Sequence, residues 1–175
     1  MQQQYGTRMA EREILVDKQR LQYEGLFNFS DLYTMIDEWF EYKGYDKREK
    51  KNIESIKPEG KYIEIEFEPW KKITDYAKSV IKVRMIASDI KVVEIERDGV
   101  KIKVNQGKLQ FVFDVYLETD YENRWEQKPV FVFLRTLFDK YIFRTYTTSY
   151  QNEVLADFKD LHTQIRSFLN LYRMR

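Results

Sequence analysis

Between Lys61 and Glu68 apolar and charged residues alternate strictly: Ile63, Ile65 and Phe67 share one face, Glu64, Glu66 and Glu68 the other. A period of two with one charged face predicts a strand in an antiparallel sheet solvated on one side. Tyr76 to Ala87 repeats the pattern, with Ala77, Ile81, Val83 and Met85 on one face and Lys78, Lys82 and Arg84 on the other. An acidic strand followed by a basic one predicts that the two pair, each cross-strand contact contributing about 0.2–1 kcal/mol. The sharpest local signal is Asp98-Gly99, which favours a two-residue hairpin turn. Counting outward pairs Arg97 with Val100, Glu96 with Lys101, Ile95 with Ile102, Glu94 with Lys103 and Val93 with Val104. A slip of one residue would mix the charged and apolar faces. Asn105-Gln106-Gly107 reads as a further turn, followed by a long central strand carrying Leu109, Phe111, Phe113, Val115 and Leu117.

Helical spacing appears on both sides of this β-rich region. Leu32, Met35, Ile36, Trp39 and Phe40 predict a helix from Asp31 to Lys43, with Ser30 as N-cap and Gly44 at its C-terminal end. Pro129 fits the first turn of a second helix, although residues 129–134 alone fit a strand equally well. Thr148 and Gln151 suit a capping box, and Val154, Phe158, Leu161, Ile165, Phe168 and Tyr172 form a heptad seam for a last helix. That seam must bury itself on the sheet, on the preceding helix or on another subunit. Glu13 to Tyr23 reads as an extended segment, and the stretch from Tyr45 to Lys57 as a charged connection ending at the Pro58-Glu59-Gly60 turn. Residues 1–12 are polar and expected to be flexible.

The elements define an α+β fold: an antiparallel β-meander of about five strands, with one preceding helix and two C-terminal helices packed on one face. A length of 175 residues suits one domain spanning 1–175. Hydrophobic residues make up 43%, which favours a folded chain. The 30 basic and 29 acidic residues nearly cancel, so no overall field selects a partner. Cysteine is absent, removing disulfides and thiolate chemistry, and the single His162 rules out a multi-histidine metal site within one chain. No apolar run has the length of a membrane span. The expectation is a cytoplasmic protein with no membrane contact, no cofactor and no metal.

Candidate chemistry concentrates in two places. Lys43, Lys47, Arg48, Lys50, Lys51, Lys57 and Lys61 follow the first helix, and Trp70, Lys71 and Lys72 lie just beyond. Cations interleaved with aromatic rings suit phosphate contact and base stacking, so this segment is the candidate surface for RNA or another partner. The loop holding Asp120, Glu122, Arg124, Trp125 and Glu126 is the densest group of reactive side chains and the candidate mouth of a ligand site. A solvated surface loop explains it as well. His162 flanks the heptad seam and reads as a packing residue. The abundance of Tyr and Phe points to an interface, with Val80, Val112 and Tyr116 on the sheet face opposite the core as a seat for a second copy.

Segments 23–33 (YEGLFNFSDLY), 68–76 (EPWKKITDY) and 117–125 (LETDYENRW) are similar to a family of small archaeal proteins of uncharacterised activity, over most of the chain. The resemblance implies an archaeal cytoplasmic protein without a familiar enzyme motif, and it carries over no catalytic residue. The combined expectation is a non-enzymatic binding protein: a homodimer contacting RNA or a ribonucleoprotein such as the ribosome, for example as a dormancy or dimerisation factor. Two other readings stay open. One is a small-molecule binder or enzyme with a cavity between curved sheet and helices, and the other is a structural protein–protein interaction module.

Overall fold

A computed structural model describes residues 11–74, 77–97, 99–119 and 144–173. In chain order the elements are β1 (Glu11–Phe27), α1 (Phe29–Tyr42), β2 (Glu49–Lys57), β3 (Gly60–Phe67), β4 (Trp70–Lys72), β5 (Ala77–Arg97), β6 (Val100–Thr119) and α2 (Arg144–Arg173). Among the described residues the fold is therefore α+β, with six antiparallel strands and two helices. The sheet order is β1-β6-β5-β3-β2, with the short β4 beside β5. The helix expected after Pro129 and the strand-or-helix alternative at 129–134 lie outside the described residues, as does Asp98 of the hairpin turn.

The charge pattern pairs the strands as expected. Glu66 stands opposite Arg84 across β3 and β5. The β5–β6 hairpin has the register counted from its turn, from Arg97 opposite Val100 to Val93 opposite Val104. Gly99 adopts φ +76°, the left-handed conformation such a turn requires.

Four expectations about the strands are corrected. Asn105-Gln106-Gly107 is not a turn but part of β6, where Asn105 pairs with Phe27 and Gly107 with Gly25. The segments 77–87 and 93–97 are likewise one strand, β5, interrupted by an extra residue between Ser88 and Lys91. Asp89 takes φ +56° in this bulge. Gly107 is needed there because a Cβ on it would stand 2.8 Å from the Ser88 carbonyl oxygen. From the other side, a Cβ on Gly60 would meet the Asp89 backbone at 2.8 Å. Third, the charged stretch after α1 contains β2, an edge strand exposed at nearly every position, so no buried face marks it in the sequence. Fourth, β4 was not anticipated. The extended segment near the N-terminus is confirmed as β1, whose alternation is broken by a bulge between Val16 and Gln19 with Lys18 at φ +47°. The Lys18 N–H donates to Asp114 Oδ1 at 2.9 Å and ties that bulge down.

β6 has no extra residue opposite the β5 bulge, yet its apolar positions change parity. Leu109, Phe111, Phe113, Val115 and Leu117 face the helices and are buried, whereas Ile102 and Val104 point to the opposite face. Asn105 confirms the orientation by accepting the Phe29 N–H on the helix side at 3.0 Å. From Val100 to Val104, β6 pairs only with β5 among the described residues, and the two form a two-stranded arm.

α1 begins two residues earlier than expected. Asn28, not Ser30, is the N-cap, its side chain accepting from the Ser30 and Asp31 N–H groups. At the other end Gly44 adopts φ +74°. The Gly44 N–H donates to Glu41 O at 3.0 Å and the Tyr45 N–H to Phe40 O at 2.9 Å. The rings of Phe40 and Tyr45 meet 5.7 Å apart, completing a Schellman motif that turns Tyr45 inward. α2 starts before Thr148, so that residue lies within the helix and is not its N-cap. The heptad seam settles on the sheet: Val154, Phe158, Leu161 and Ile165 are buried, and Phe158 packs edge-on to Phe113 at 5.5 Å. Near its end Leu169 takes the buried position and Phe168 and Tyr172 are half-buried, because a straight helix drifts out of a seven-residue repeat.

Candidate functional site

The sheet face opposite the helices is not the open seat the sequence suggested. Val80 and Tyr116 are buried, and Val112 is half-buried. Burial raises the Tyr116 hydroxyl above the ordinary tyrosine range, and that hydroxyl donates to Glu68 Oε1 at 3.1 Å. Around these residues the face is a network of ion pairs. Lys82 meets Glu66 at 2.9 Å, Lys50 meets Glu68 at 2.7 Å and Lys78 meets Glu118 at 3.2 Å. Glu64 is its hub. Lys51 Nζ, Arg84 Nε and Arg84 Nη2 converge on its Oε1 at 2.9, 2.8 and 2.6 Å, and Tyr62 OH donates to Oε2 at 3.0 Å. Hydrogen bonds from Lys51, then Arg84 and Tyr62, hold this carboxyl down to about 2, overcoming the opposing effect of burial.

The lysine-rich segment does not present one basic surface. Lys43 reaches α2, 3.1 Å from Asp157 and 3.4 Å from Asp160. Lys47 meets Asp37 at 2.6 Å and donates to Tyr33 OH at 3.0 Å. Lys50 and Lys51 belong to the sheet-face network, and Lys61 meets Glu54 at 2.7 Å. Lys57 lies over the Tyr62 ring at 4.2 Å. Lys71 meets Glu153 at 3.0 Å, while the Trp70 ring has Lys78 5.7 Å from its centre. Arg48 and Lys72 are exposed. The β strands and the Schellman turn thus send neighbouring lysines to different carboxylates on different elements.

Lys43, Lys71 and Tyr45 instead gather at Asp157, a nearly buried carboxylate on α2. Tyr45 OH donates to Asp157 Oδ2 at 3.2 Å, and Ser79 Oγ donates to Tyr45 OH at 3.5 Å. Beside it the Trp39 indole donates to Asp160 Oδ2 at 2.9 Å, which with Gln164 and Lys43 holds that carboxyl below its ordinary range. Burial raises the Tyr45 hydroxyl. This cluster joins α1, β4, β5 and α2 through satisfied polar groups, and it is built to hold α2 in place. His162 packs between Phe113 and Phe158, both at 5.8 Å, as a packing role predicts. Asp120, Glu122, Arg124, Trp125 and Glu126 lie outside the described residues.

The feature missed from sequence is a groove at the β5 bulge, on the face opposite the helices. A depression of about 350 Å³ lies over Gln22, Gln110 and Ile86, and one of about 290 Å³ lies over Gln106, Lys91 and Asp89. They join at Glu24 and Lys108, which line both. The only sequence signal was the run of Gln residues on the polar face of strands that otherwise carry charges. Among the described residues no helix is long and apolar enough to cross a membrane. No family model, curated protein or solved structure matches this chain.

Proposed function

We propose that this protein is a non-enzymatic binding protein that assembles as a homodimer through the distal arm of the β5–β6 hairpin. One observation carries the reading. The arm's Val93–Val104 and Ile95–Ile102 pairs share the side away from the helices, beyond the pairing of β1 and β3; Val104 is buried there, while Val93, Ile95 and Ile102 are half-buried. Val100 at its tip is 61% exposed. A two-stranded ribbon is marginal alone in water and needs a third layer on its apolar face. A symmetric pair of arms supplies that layer, and two-fold assembly is the commonest way for a soluble chain to use such a patch.

The lysine-rich segment supports an RNA contact less well. Phosphate binding gains from releasing counterions at free cations, and most of these lysines already meet carboxylates. The test is sedimentation equilibrium over a range of concentrations on the wild type and on Ile95→Lys. A concentration-dependent dimer that becomes a monomer in the variant, with an unchanged circular dichroism spectrum, is the expected result. A wild type that stays monomeric at all concentrations ends the homodimer reading. RNA contact has its own readout, salt-sensitive co-sedimentation with ribosomes or total RNA, compared between wild type and Arg48→Glu. Reversing Lys51 would confound that comparison by setting a second carboxylate against Glu64.

A further inference from the structure

The groove at the β5 bulge has an unusual chemical make-up. Gln22, Gln106 and Gln110 each offer an amide with donors and an acceptor, and none of them makes a side-chain hydrogen bond among the described residues. Their burial ranges from half-buried to exposed, so they are accessible. Gln22 and Gln110 stand directly opposite each other across β1 and β6, with the half-buried Ile86 next in the row on β5. From the Gln110 row to the Gln106 row is four residue steps, about 14 Å along the strand. The charges in the groove cancel. Lys108 meets Asp89 at 3.0 Å, and the other two charged residues of the lining, Lys91 and Glu24, are opposite in sign. Neither an anion nor a cation gains from entering.

We infer that this groove binds a neutral, hydroxyl-rich ligand, a short oligosaccharide lying along β6. Side-chain amides can donate to one hydroxyl and accept from its neighbour, as vicinal diols require. The Ile86 side chain provides an apolar floor for the C–H face of a sugar ring. The bulge itself lines the site through Asp89. Bulges are over-represented next to active sites. The inference is independent of the homodimer, since it uses none of the arm's apolar pairs.

The test is an NMR titration that follows the side-chain amide signals of the three glutamines, using maltotriose, cellotriose and mannotriose as probes, with inorganic phosphate as the charged comparison. The expected result is saturable movement of the Gln22, Gln106 and Gln110 amide signals with at least one trisaccharide and none with phosphate. The paired variant Gln22→Leu/Gln110→Leu should weaken binding by about tenfold or more while the melting temperature is kept. Absence of saturable movement with all three sugars, or unchanged affinity in the paired variant, overturns the assignment. Movement with phosphate alone overturns the neutral ligand class. If the paired variant is unfolded, Gln106→Ala, at an exposed position, takes its place with the same two outcomes.

Discussion

Arg84 grips Glu64 with two nitrogens on one carboxylate oxygen, Nε at 2.8 Å and Nη2 at 2.6 Å. The consequence is a strong link between sheet stability and proton concentration. The folded-state carboxyl sits near 2, below its ordinary value of 4.5. A depressed acid contributes stability that is complete above the unfolded value and is lost as pH falls through the folded one. Acid titration followed by circular dichroism should therefore show stability falling between about 4.5 and about 2. Glu64→Gln should remove much of this dependence. It should also cost about 2–4 kcal/mol at neutral pH in urea denaturation, because Arg84 and Lys51 lose a nearly buried partner.

The two glycines beside the β5 bulge should be intolerant of a methyl group. Gly107→Ala drives a Cβ against backbone, and backbone cannot swing aside as a side-chain end can. A loss of about 1–3 kcal/mol is expected. Gly44→Ala is the matched comparison, since its φ is positive but a Cβ there meets nothing within 4 Å. It should cost about 1 kcal/mol, from backbone strain alone. Urea midpoints measured side by side give the ordering, and an equal cost at both sites would show that the close approach at Gly107 relaxes.

The Asp157 cluster should behave as one unit. Tyr45→Phe removes the hydrogen bond to Asp157 and the long one from Ser79, and should cost about 1–2 kcal/mol. Asp157→Ala leaves Lys43 with Asp160 but takes away the carboxylate that accepts from the Tyr45 hydroxyl, and should cost about 2–4 kcal/mol. In the double variant the hydroxyl is gone as well, so the two losses should sum to more than the double. A double-mutant cycle measures that difference directly, and strict additivity would mean that the two side chains do not act through each other.

His162 is the chain's single histidine, so its titration can be read without assignment. Burial, then the neighbouring Arg166, lowers its pKa below 6.5. Because a lowered base binds its proton more weakly folded than unfolded, its contribution is lost as pH falls from about 6.5 through the folded value. The imidazole C–H signals should shift with a midpoint below 6.5, and a midpoint above it would place a carboxylate near the ring. His162→Phe should preserve the packing against Phe113 and Phe158 while flattening this part of the pH profile.

The elements that bury one face were legible from sequence, and those that bury neither were not. β3, β5 and β6 alternate because Ile63, Ile65, Val83, Phe111 and Phe113 reach one core. The Asp98-Gly99 turn set a register that long-range pairing then preserved. β2 escaped notice because an exposed edge strand has no buried residues to alternate with. The Asn105–Gly107 stretch misled for a different reason. Polar residues and glycine signal a turn in most chains, but here Gly107 is small so that the bulge can pass close, and Asn105 is polar to meet the Phe29 N–H. The site suffered most, because ion-pair partners lie far apart in sequence. Lys43, at the end of α1, and Lys71, on β4, converge on Asp157, which no local count of lysines can reveal.

The pairing of β1 with β6, from Glu11 opposite Thr119 to Phe27 opposite Asn105, sets the order in which this chain can close. β1 is made first, but its partner follows about a hundred residues later, and α2, which covers the same apolar stripe, follows that. Until α2 has arrived, Phe111, Phe113 and Val115 of β6 lack its cover. Long-range closures of this kind are slow, on the scale of milliseconds to seconds, and leave the chain open to association meanwhile. A ribosome-bound chain halted before α2 should therefore remain protease-sensitive through β6, and release of α2 should protect the sheet in a single step.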